Sequence, residues 1–319
     1  MLLLTGGAGF IGSCFLWKLN QEGITDVIIS DEFTADKWRN LVGKRFRDFI
    51  PKEALLARLF RGELAHIDAI VHLGARTDTT EENFAALIQD NYEFSKALAL
   101  YAVEHQIRFL YASSAATYGA GEHGFQECQL WNLRPLNAYG FSKHLFDCWA
   151  ATEGILEHAV GIKLFNVYGP NEYHKGRMAS LVWQGFQQIR KTGCIRLFKS
   201  TDPQYNDGEQ KRDFVYVKDV VEVLWKLLCH RNLTGLYNVG TGYARSWNEL
   251  AHALFAVLNR PVQIQYVDMP KELQSQYQNF TQADITKLQS GAAAHTFVSL
   301  EEGIQEYVSG HLLSGRLYL

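Results

Sequence analysis

The first twelve residues of this 319-residue chain restrict its fold more than any other part of the sequence. Residues 1–5 form a short apolar run typical of a buried parallel strand, and Gly6-Gly7-Ala8-Gly9-Phe10-Ile11-Gly12 follows directly. Glycine suits a turn that needs positive φ, a backbone that approaches a pyrophosphate, and a helix packed closely on its strand. A helix predicted over residues 11–21 then directs its N-terminal amides at the phosphates. The pattern therefore predicts a dinucleotide-binding strand–turn–helix unit.

The next strand, predicted over residues 26–30, ends at Asp31, where a carboxylate can meet an adenosine ribose. The same alternation continues downstream. Further strands are predicted at 67–73, 108–113 and 160–165, and helices at 90–104 and 139–152. This order predicts an α/β fold: a doubly wound parallel sheet with helices on both faces and its ligand beyond the carboxyl ends of the strands.

After Pro170 the alternation gives way to loops rich in Gly, Asn and Asp around residues 171–180 and 200–211. We expect a smaller, mixed α/β lobe that closes over a substrate. The predicted division assigns residues 1–166 and about 212–240 to the dinucleotide-binding domain. Residues 167–211 and about 241–319 form the predicted substrate-binding lobe.

The composition excludes several classes of function. The net charge of −3 and the lack of a basic tract disfavour nucleic acid and anionic membranes as partners. No apolar run approaches ~18 uncharged residues, and the N-terminus is too short and glycine-broken for a signal peptide. Five scattered cysteines without C-x-x-C spacing indicate reduced thiols in a cytoplasmic protein, and the eleven histidines lack metal-site spacing.

A candidate acid/base pair, Tyr139 and Lys143, lies four residues apart on one face of a predicted helix. A nearby ammonium favours the phenolate and is expected to lower the pKa of Tyr139 from ~10 toward neutrality. Such a group can take a proton from an alcohol at pH 7. By itself, Y-x-x-x-K is more often a solvated helix face. Ser114 follows a predicted buried strand, 25 residues earlier, and its hydroxyl could bond the substrate alcohol or carbonyl.

Together these features resemble the extended short-chain dehydrogenase/reductases. The resemblance rests on the glycine fingerprint, Asp31, the His72-Leu73-Gly74-Ala75 segment, Asn91, Ser-Ser-Ala-Ala-Thr-Tyr-Gly at 113–119, and Y-x-x-x-K. Within this superfamily the chain is similar to the nucleotide-sugar epimerases that act on ADP-glycero-manno-heptose, from residue 1 to about 306. The most specific segments are 111–119, 165–170, 174–176, 212–216 and 280–284.

The resemblance implies oxidation at C6″ to a 6″-ketone and reduction from the opposite face. Tyr139 would act with Lys143 on one face while Ser114 orients the alcohol, and Lys175 would be the second acid/base. Lys175 could instead be a loop lysine that binds the diphosphate. Dehydratases of the superfamily carry an acid just after the catalytic Ser or Thr. Here Ala115, Ala116 and Thr117 occupy that place, which disfavours dehydration.

The resemblance also implies two sets of binding residues. The cofactor set is Gly6, Gly7, Gly9, Phe10, Ile11, Gly12, Asp31, Glu32, Lys37, Lys52, Leu73, Gly74, Ala75, Asn91, Lys143, Val167 and Lys175. The substrate set is Ser114, Asn166, Arg177, Gln184, Phe198, Arg212 and Tyr277. Arg177 and Gln184 replace a small hydroxyl residue and a histidine of the enterobacterial-type pattern, and the loop at 199–208 is longer than in that pattern. Arg212 could bind a diphosphate or form a structural ion pair with Asp213.

The identity of the cofactor is less constrained. Asp31 alone indicates NAD, because a carboxylate repels a 2′-phosphate, and Glu32 points the same way. The resemblance implies NADP through Lys37 and Lys52, with Arg39 nearby. We predict NADP, with NAD as the alternative, an ADP-sugar substrate, and a homo-oligomer that the resemblance suggests is a pentamer. The alternative functions are another nucleotide-sugar epimerase or reductase, and a non-catalytic dinucleotide-binding protein.

Overall fold

The structure, a computed structural model, describes residues 1–32, 36–64 and 66–319. These residues contain twelve strands and eleven α-helices. The strands are β1 (Leu2–Thr5), β2 (Val27–Asp31), β3 (Asp48–Pro51), β4 (Ala69–His72), β5 (Arg108–Ser114), β6 (Ala159–Leu164), β7 (Asn166–Tyr168), β8 (Ile195–Phe198), β9 (Lys211–Tyr216), β10 (Gly235–Val239), β11 (Ala244–Ser246) and β12 (Ile264–Val267). The helices are α1 (Phe10–Gln21), α2 (Lys52–Phe60), α3 (Phe84–Leu87), α4 (Phe94–Glu104), α5 (Ala138–Thr152), α6 (Leu181–Thr192), α7 (Val217–Cys229), α8 (Trp247–Val257), α9 (Lys271–Gln274), α10 (Thr286–Gln289) and α11 (Leu300–Gln305).

Seven parallel strands form the central sheet, in the order β10-β6-β5-β4-β1-β2-β3. From β1 the chain first adds strands on one side and then returns to add β4 on the other. The strand order therefore reverses between β1 and β4, and ligands of such sheets bind in the crevice at this reversal. The predicted doubly wound α/β fold is confirmed.

Strand β1 shows why both faces of the sheet are covered. Successive side chains of a strand point to opposite faces. Leu2 and Leu4 accordingly lie in a core cluster with residues of α1 and α7. Leu3 lies in a second cluster with residues of α2, α4 and α5. The apolar run at the N-terminus thus reflects burial on two sides, as expected for a central parallel strand.

Two smaller sheets lie outside the central one. Strand β9 pairs in parallel with β7 and antiparallel with β11, while β8 and β12 form a parallel pair. The smaller mixed lobe of the predicted fold is confirmed. Strand β10 joins the central sheet, whereas β7 to β9 before it and β11 and β12 after it join the smaller ones, so the chain crosses three times between the two regions. The predicted residue boundaries of the two domains stay a prediction.

Each strand and helix predicted from the sequence is present in the structure apart from shifts at its ends, and one of the predicted helices is irregular. Among the elements that were not predicted is strand β3, because Asp48-Phe49-Ile50-Pro51 carries too few apolar residues to suggest a strand. The helix predicted from residue 90 is wider at its start, where Ile88–Glu93 adopts π-helical geometry before α4 begins. In the described ranges, no helix combines the length and apolar character needed to cross a bilayer.

Candidate active site

The glycine-rich loop between β1 and α1 packs so closely that side chains cannot be accommodated. Gly6 has φ +69°, and a Cβ there would lie 2.5 Å from the backbone nitrogen of Gly74. A Cβ on Gly12 would lie 2.0 Å from the carbonyl oxygen of Gly6. The amide of Ala8 donates to the Asp31 carboxylate at 2.9 Å, which fixes the loop against the end of β2. The loop thus brings backbone amides and the start of α1 to the strand reversal.

A cavity of about 120 Å³ opens beside this loop. It is lined by the ends of β1 and β2, by the segments that follow β1, β2 and β4, and by the starts of α2 and of the helix that continues into α4. The lining residues are Thr5, Gly6, Ser30, Asp31, Glu32, Lys37, Lys52, Gly74, Ala75, Arg76, Asp90 and Phe94. The Lys37 ammonium lies 3.0 Å from the Asp31 carboxylate, and Lys52 pairs with Asp90. Seven predicted cofactor residues therefore surround one cavity.

Two further predicted cofactor residues lie just behind this cavity. The amide of Leu73 donates to the carbonyl of Thr5, which continues the pairing of β4 with β1. Asn91 is fully buried, accepts from the amide of Arg76 at 2.8 Å and donates to its carbonyl at 2.9 Å. Asn91 therefore holds the segment after β4 in place and does not line the cavity.

The predicted acid/base group is assembled at the start of α5. The side chain of Asn137 caps this helix by accepting from the amide of Gly140 at 2.7 Å, which fixes the first turn on which Tyr139 stands. The Tyr139 hydroxyl hydrogen-bonds with Ser114 at the end of β5. The ammonium of Lys143, buried one turn later, donates to the carbonyl of Ala112 at 2.9 Å. The structure thus brings Ser114, Tyr139 and Lys143 together.

The predicted lowering of the pKa of Tyr139 toward neutrality is wrong for this arrangement. Burial raises the pKa of Tyr139, and the hydrogen bond with Ser114 opposes that rise. Burial also lowers the pKa of Lys143 to about 8, against the opposing charge of Asp147. The reason is that the lysine amine is bonded to the Ala112 carbonyl, and removal from water disfavours both charged forms.

The Lys175 segment folds back onto the glycine-rich loop. The side-chain nitrogen of Lys175 lies 5.5 Å from the ring centroid of Phe10, at the first turn of α1. The buried Glu172 carboxylate fixes both ends of this segment, since it accepts from the amides of Gly169 and Ser180. Burial lowers the pKa of Lys175, while the charge of Glu172 opposes that change.

Asn40 joins this segment to the glycine-rich loop. Its side-chain amide donates to the carbonyl of Ala8 at 2.9 Å and lies 3.2 Å from Nδ1 of His174. Because His174 precedes Lys175, the position of Lys175 is tied to the loop that follows β1. Within the described residues, no hydrogen bond or ion pair joins Lys175 to Tyr139.

Arg212 carries the main cation of the predicted substrate set. Its guanidinium lies 4.8 Å from the ring centroid of Tyr277 and 5.6 Å from that of Trp247. The indole of Trp247 donates to the Tyr277 hydroxyl at 2.8 Å. The alternative of a structural ion pair with Asp213 is wrong. Neighbouring residues of β9 face opposite ways, and the Asp213 carboxylate accepts from Thr241, Gly242 and Ala283.

The other predicted substrate residues are less closely grouped. Asn166 begins β7, next to the predicted cofactor residue Val167, and Phe198 ends β8. Arg177 is exposed, and its guanidinium bonds the Asp78 carboxylate at 2.8 Å and the Thr80 hydroxyl at 2.7 Å. The side-chain amide of Gln184 donates to the carbonyls of Arg177 and Ala179. In this structure Arg177 and Gln184 hold loops together.

Comparison with known proteins identifies the family to which this chain belongs. The sequence model of the NAD-dependent epimerase/dehydratase family matches residues 2–240. The chain belongs to the NAD-dependent epimerase/dehydratase family. The predicted resemblance to the extended short-chain dehydrogenase/reductases and their nucleotide-sugar epimerases is thereby confirmed.

Members of this family with high similarity include two bacterial proteins and one crystal structure. The ADP-L-glycero-D-manno-heptose-6-epimerase of Nitratidesulfovibrio vulgaris (strain DP4) is 46% identical over 323 residues, covering 100% of both chains. The protein of that name from Fusobacterium nucleatum subsp. nucleatum is 43% identical over 332 residues, again covering 100% of both. The crystal structure of Helicobacter pylori ADP-L-glycero-D-manno-heptose-6-epimerase is 31% identical with a TM-score of 0.83, covering 97% of this chain and 95% of that chain.

Several residues that shape the site of this epimerase/dehydratase family member were not singled out from the sequence. Arg76, Glu172 and Trp247 each contact a predicted site residue only through the fold, and no spacing pattern points to them. Asn40 contacts Ala8 and His174, which are sequence neighbours of predicted site residues. Asp147 is different, because it follows Lys143 by one helical turn, as Lys143 follows Tyr139. Extending the four-residue spacing by one step would have found it.

Proposed function

We propose that this protein is a nucleotide-sugar epimerase that inverts C6″ of ADP-glycero-manno-heptose with a tightly bound nicotinamide cofactor. One observation carries the proposal: the structure offers two candidate proton-transfer groups from separate segments, Tyr139 beside Ser114 at the end of β5 and Lys175 beside Phe10 at the glycine-rich loop. The names of relatives at 46% and 43% identity over the whole chain support the substrate.

The residues around the strand reversal fit a dinucleotide. The close approach of Gly6, Gly12 and Gly74 leaves room for backbone but for no side chain, as a cradle for a pyrophosphate requires. The adjoining cavity offers Asp31, Lys37 and Lys52 to an adenosine ribose. When bound, a nicotinamide cofactor takes a hydride from the substrate carbon and returns it.

Within this proposal the protein's own groups move the proton. Tyr139 Oη takes the C6″ hydroxyl proton of one epimer, and the Ser114 hydroxyl holds that oxygen in place. Lys143 holds the nicotinamide ribose. Lys175 Nζ donates its own proton to the C6″ oxygen when the ketone is reduced from its other face, because inversion places the oxygen on the opposite side. The proton taken by Tyr139 and the one lost by Lys175 are then exchanged with solvent, or by turnover in the reverse direction. Arg212 holds the diphosphate as a bidentate donor, with its plane set by Tyr277 and Trp247.

Dehydration is disfavoured because the turn after Ser114 offers no carboxylic acid. Ala115 and Ala116 cannot protonate a leaving hydroxyl, and the buried Thr117 hydroxyl donates to the carbonyl of Ser114 at 2.8 Å. Reversible oxidation without loss of water is the chemistry that these residues support.

The proposal is tested by incubating the purified protein with ADP-glycero-manno-heptose of either C6″ configuration, without added cofactor. We expect both epimers to appear, resolved by chromatography, in the same final ratio from either start. Conversion of another nucleotide sugar alone would reassign the substrate. A bound nucleotide with no turnover of any sugar would favour the non-catalytic dinucleotide-binding protein.

We further propose NADP as the cofactor. The ammonium of Lys37, held 3.0 Å from Asp31, offsets the carboxylate that would otherwise repel a 2′-phosphate, and Lys52 adds a second cation to the cavity. Glu32 and Asp90 line the same cavity and favour NAD by their charge. Arg39 is paired with Asp36 and does not line this cavity. A cytoplasmic location and a homo-oligomer, a pentamer by family resemblance, stay predictions.

Lys37→Gln is expected to raise the Kd for NADP at least about tenfold and to change the Kd for NAD by less than about threefold. Loss of one charge-assisted hydrogen bond is worth roughly 1.5–3 kcal/mol, and each ~1.4 kcal/mol is tenfold in Kd. Titration calorimetry of the cofactor-stripped protein measures both constants. Lys199→Gln, which removes an exposed lysine of the other lobe, is the control. Equal weakening of both cofactors would contradict the assignment.

A further inference from the structure

A fully buried ion pair, Asp147 with Lys163, lies behind the proposed acid/base group and has no part in the steps described above. The two side chains are 0% exposed and their charged atoms are 2.6 Å apart. Burying two charges costs desolvation energy, and apolar replacements of similar volume are often equally stable or more so. Stability alone is therefore a poor reason for this pair, so its position needs a separate explanation.

Asp147 lies on the same face of α5 as the proposed catalytic residues. Tyr139, Lys143 and Asp147 follow each other at intervals of four residues, so their side chains align along the helix. The direct hydrogen bond of the Lys143 amine is to a neutral carbonyl, that of Ala112. Asp147 supplies the negative charge that acts on Lys143.

Lys163 connects the pair to the turn that carries Ser114. From β6 its ammonium donates to the Thr117 hydroxyl at 2.8 Å, and that hydroxyl donates to the carbonyl of Ser114 at 2.8 Å. The Asp147 carboxylate accepts from the hydroxyls of Ser113 at 2.7 Å and Tyr111 at 3.0 Å on β5. Both members of the pair therefore hold the end of the strand on which Ser114 stands.

We propose that Asp147 and Lys163 are positioning residues for the proposed acid/base group. Asp147 is the fixed countercharge of the Lys143 ammonium, and Lys163 holds the Ser114 turn through Thr117. This inference rests on the proposed function for its catalytic meaning, but the electrostatic link between Asp147 and Lys143 can be measured without a substrate.

The sign of the pH effect follows from the surroundings of Lys143. Burial lowers the pKa of Lys143 to about 8, and Asp147 opposes that change. Without the carboxylate, the pKa must fall further. From β4, His72 also faces Lys143, but burial lowers its pKa to about 3, so it stays neutral. The titratable groups that face Asp147 are Lys163 on β6, Tyr111 on β5, Tyr118 in the following turn, and Lys143, His144 and Cys148 on α5 itself.

The direct test follows the Lys143 amine by NMR in cofactor-loaded protein labelled with ¹⁵N-lysine. The signal is assigned by its absence from Lys143→Met. We expect the titration midpoint in Asp147→Asn to lie about one pH unit below that of the wild type. Asp219→Asn is the matched control, since this buried carboxylate on α7 bonds His295 and the amide of Val298 and is not part of the site. We expect an unchanged Lys143 midpoint in that variant.

Asp147→Asn leaves the Lys163 ammonium buried without its partner, so the double variant Asp147→Asn/Lys163→Met is measured in parallel. It is expected to fold and to show the same downward shift. The alkaline limb of the epimerisation rate should move to lower pH as well, because Lys143, which holds the nicotinamide ribose in the proposed function, then loses its charge at a lower pH. A midpoint equal to that of the wild type in the folded variants would overturn the inference. A shifted midpoint in a protein whose wild type epimerises no ADP-heptose would instead overturn the proposed function alone.

Discussion

Tyr139→Phe is expected to lower turnover of the nucleotide sugar by about 10²- to 10⁴-fold, the range that general acid–base catalysis contributes. The substitution removes one oxygen atom and keeps the ring that stands on the first turn of α5. That oxygen is the atom bonded to Ser114, and it is the proposed acceptor of the alcohol proton. Neither the glycine-rich loop nor the charged cavity contacts it, so the fold and the bound cofactor should be retained.

Rates of epimer formation, the absorbance of the co-purified nucleotide and the melting temperature together check this result. Tyr243→Phe, which removes the hydroxyl of a tyrosine that is 74% exposed, is the matched control and should turn over normally. Near-wild-type rates for Tyr139→Phe would exclude Tyr139 as the proton-transfer group.

Lys175→Met is expected to lower epimerisation by a similar factor, about 10²- to 10⁴-fold, in both directions. Methionine keeps an unbranched apolar stem but lacks the amine. Within the described residues, the amine of Lys175 makes no hydrogen bond or ion pair, although it lies beside the Phe10 ring. Burial lowers its pKa, which brings its proton exchange nearer to neutral pH. A half-buried amine that has no hydrogen bond or ion pair among the described residues, beside the start of α1, is suited to serve the second face of the ketone.

The measurement separates kcat from KM, starting from each epimer in turn. If Lys175 only binds the diphosphate, KM should rise while kcat at saturation stays near the wild-type value. If Lys175→Met epimerises normally, Tyr139 must serve both faces. Lys191→Met, which changes an exposed lysine near the end of α6, is the control.

Much of the nucleotide-binding half of the fold could be predicted because its signals are local. The apolar run before Gly6, the glycine spacing and Asp31 lie within one strand–helix–strand unit. Each of these signals depends on steric fit or burial among residues that are close together in the sequence. The same holds for Tyr139 and Lys143, whose common face follows from the helical period. Strand β3 lacked such a signal, because its four residues contain only two large apolar side chains.

Two properties of the candidate site depend on residues that are far apart in the sequence. Lys175 meets Phe10 only because the segment after β7 folds back across the loop that follows β1. Arg212 acquires its orientation from Trp247 and Tyr277, which belong to other elements. The hydrophobic periodicity of the sequence does not predict such contacts, since they depend on how separate helices, strands and loops pack together.

The sequence by itself therefore determined the parallel sheet, the dinucleotide loop and the presence of a tyrosine–lysine pair, because these follow from short-range geometry and hydrophobic periodicity. The tertiary structure decided the electrostatics of that pair. The spacing of Tyr139 and Lys143 predicted a lowered pKa for the tyrosine. In the structure, burial raises the pKa of Tyr139, and the Lys143 ammonium donates to the Ala112 carbonyl. Spacing fixes which groups are neighbours, but the pKa values depend on the water that the whole fold removes and on charges such as Asp147 that it encloses.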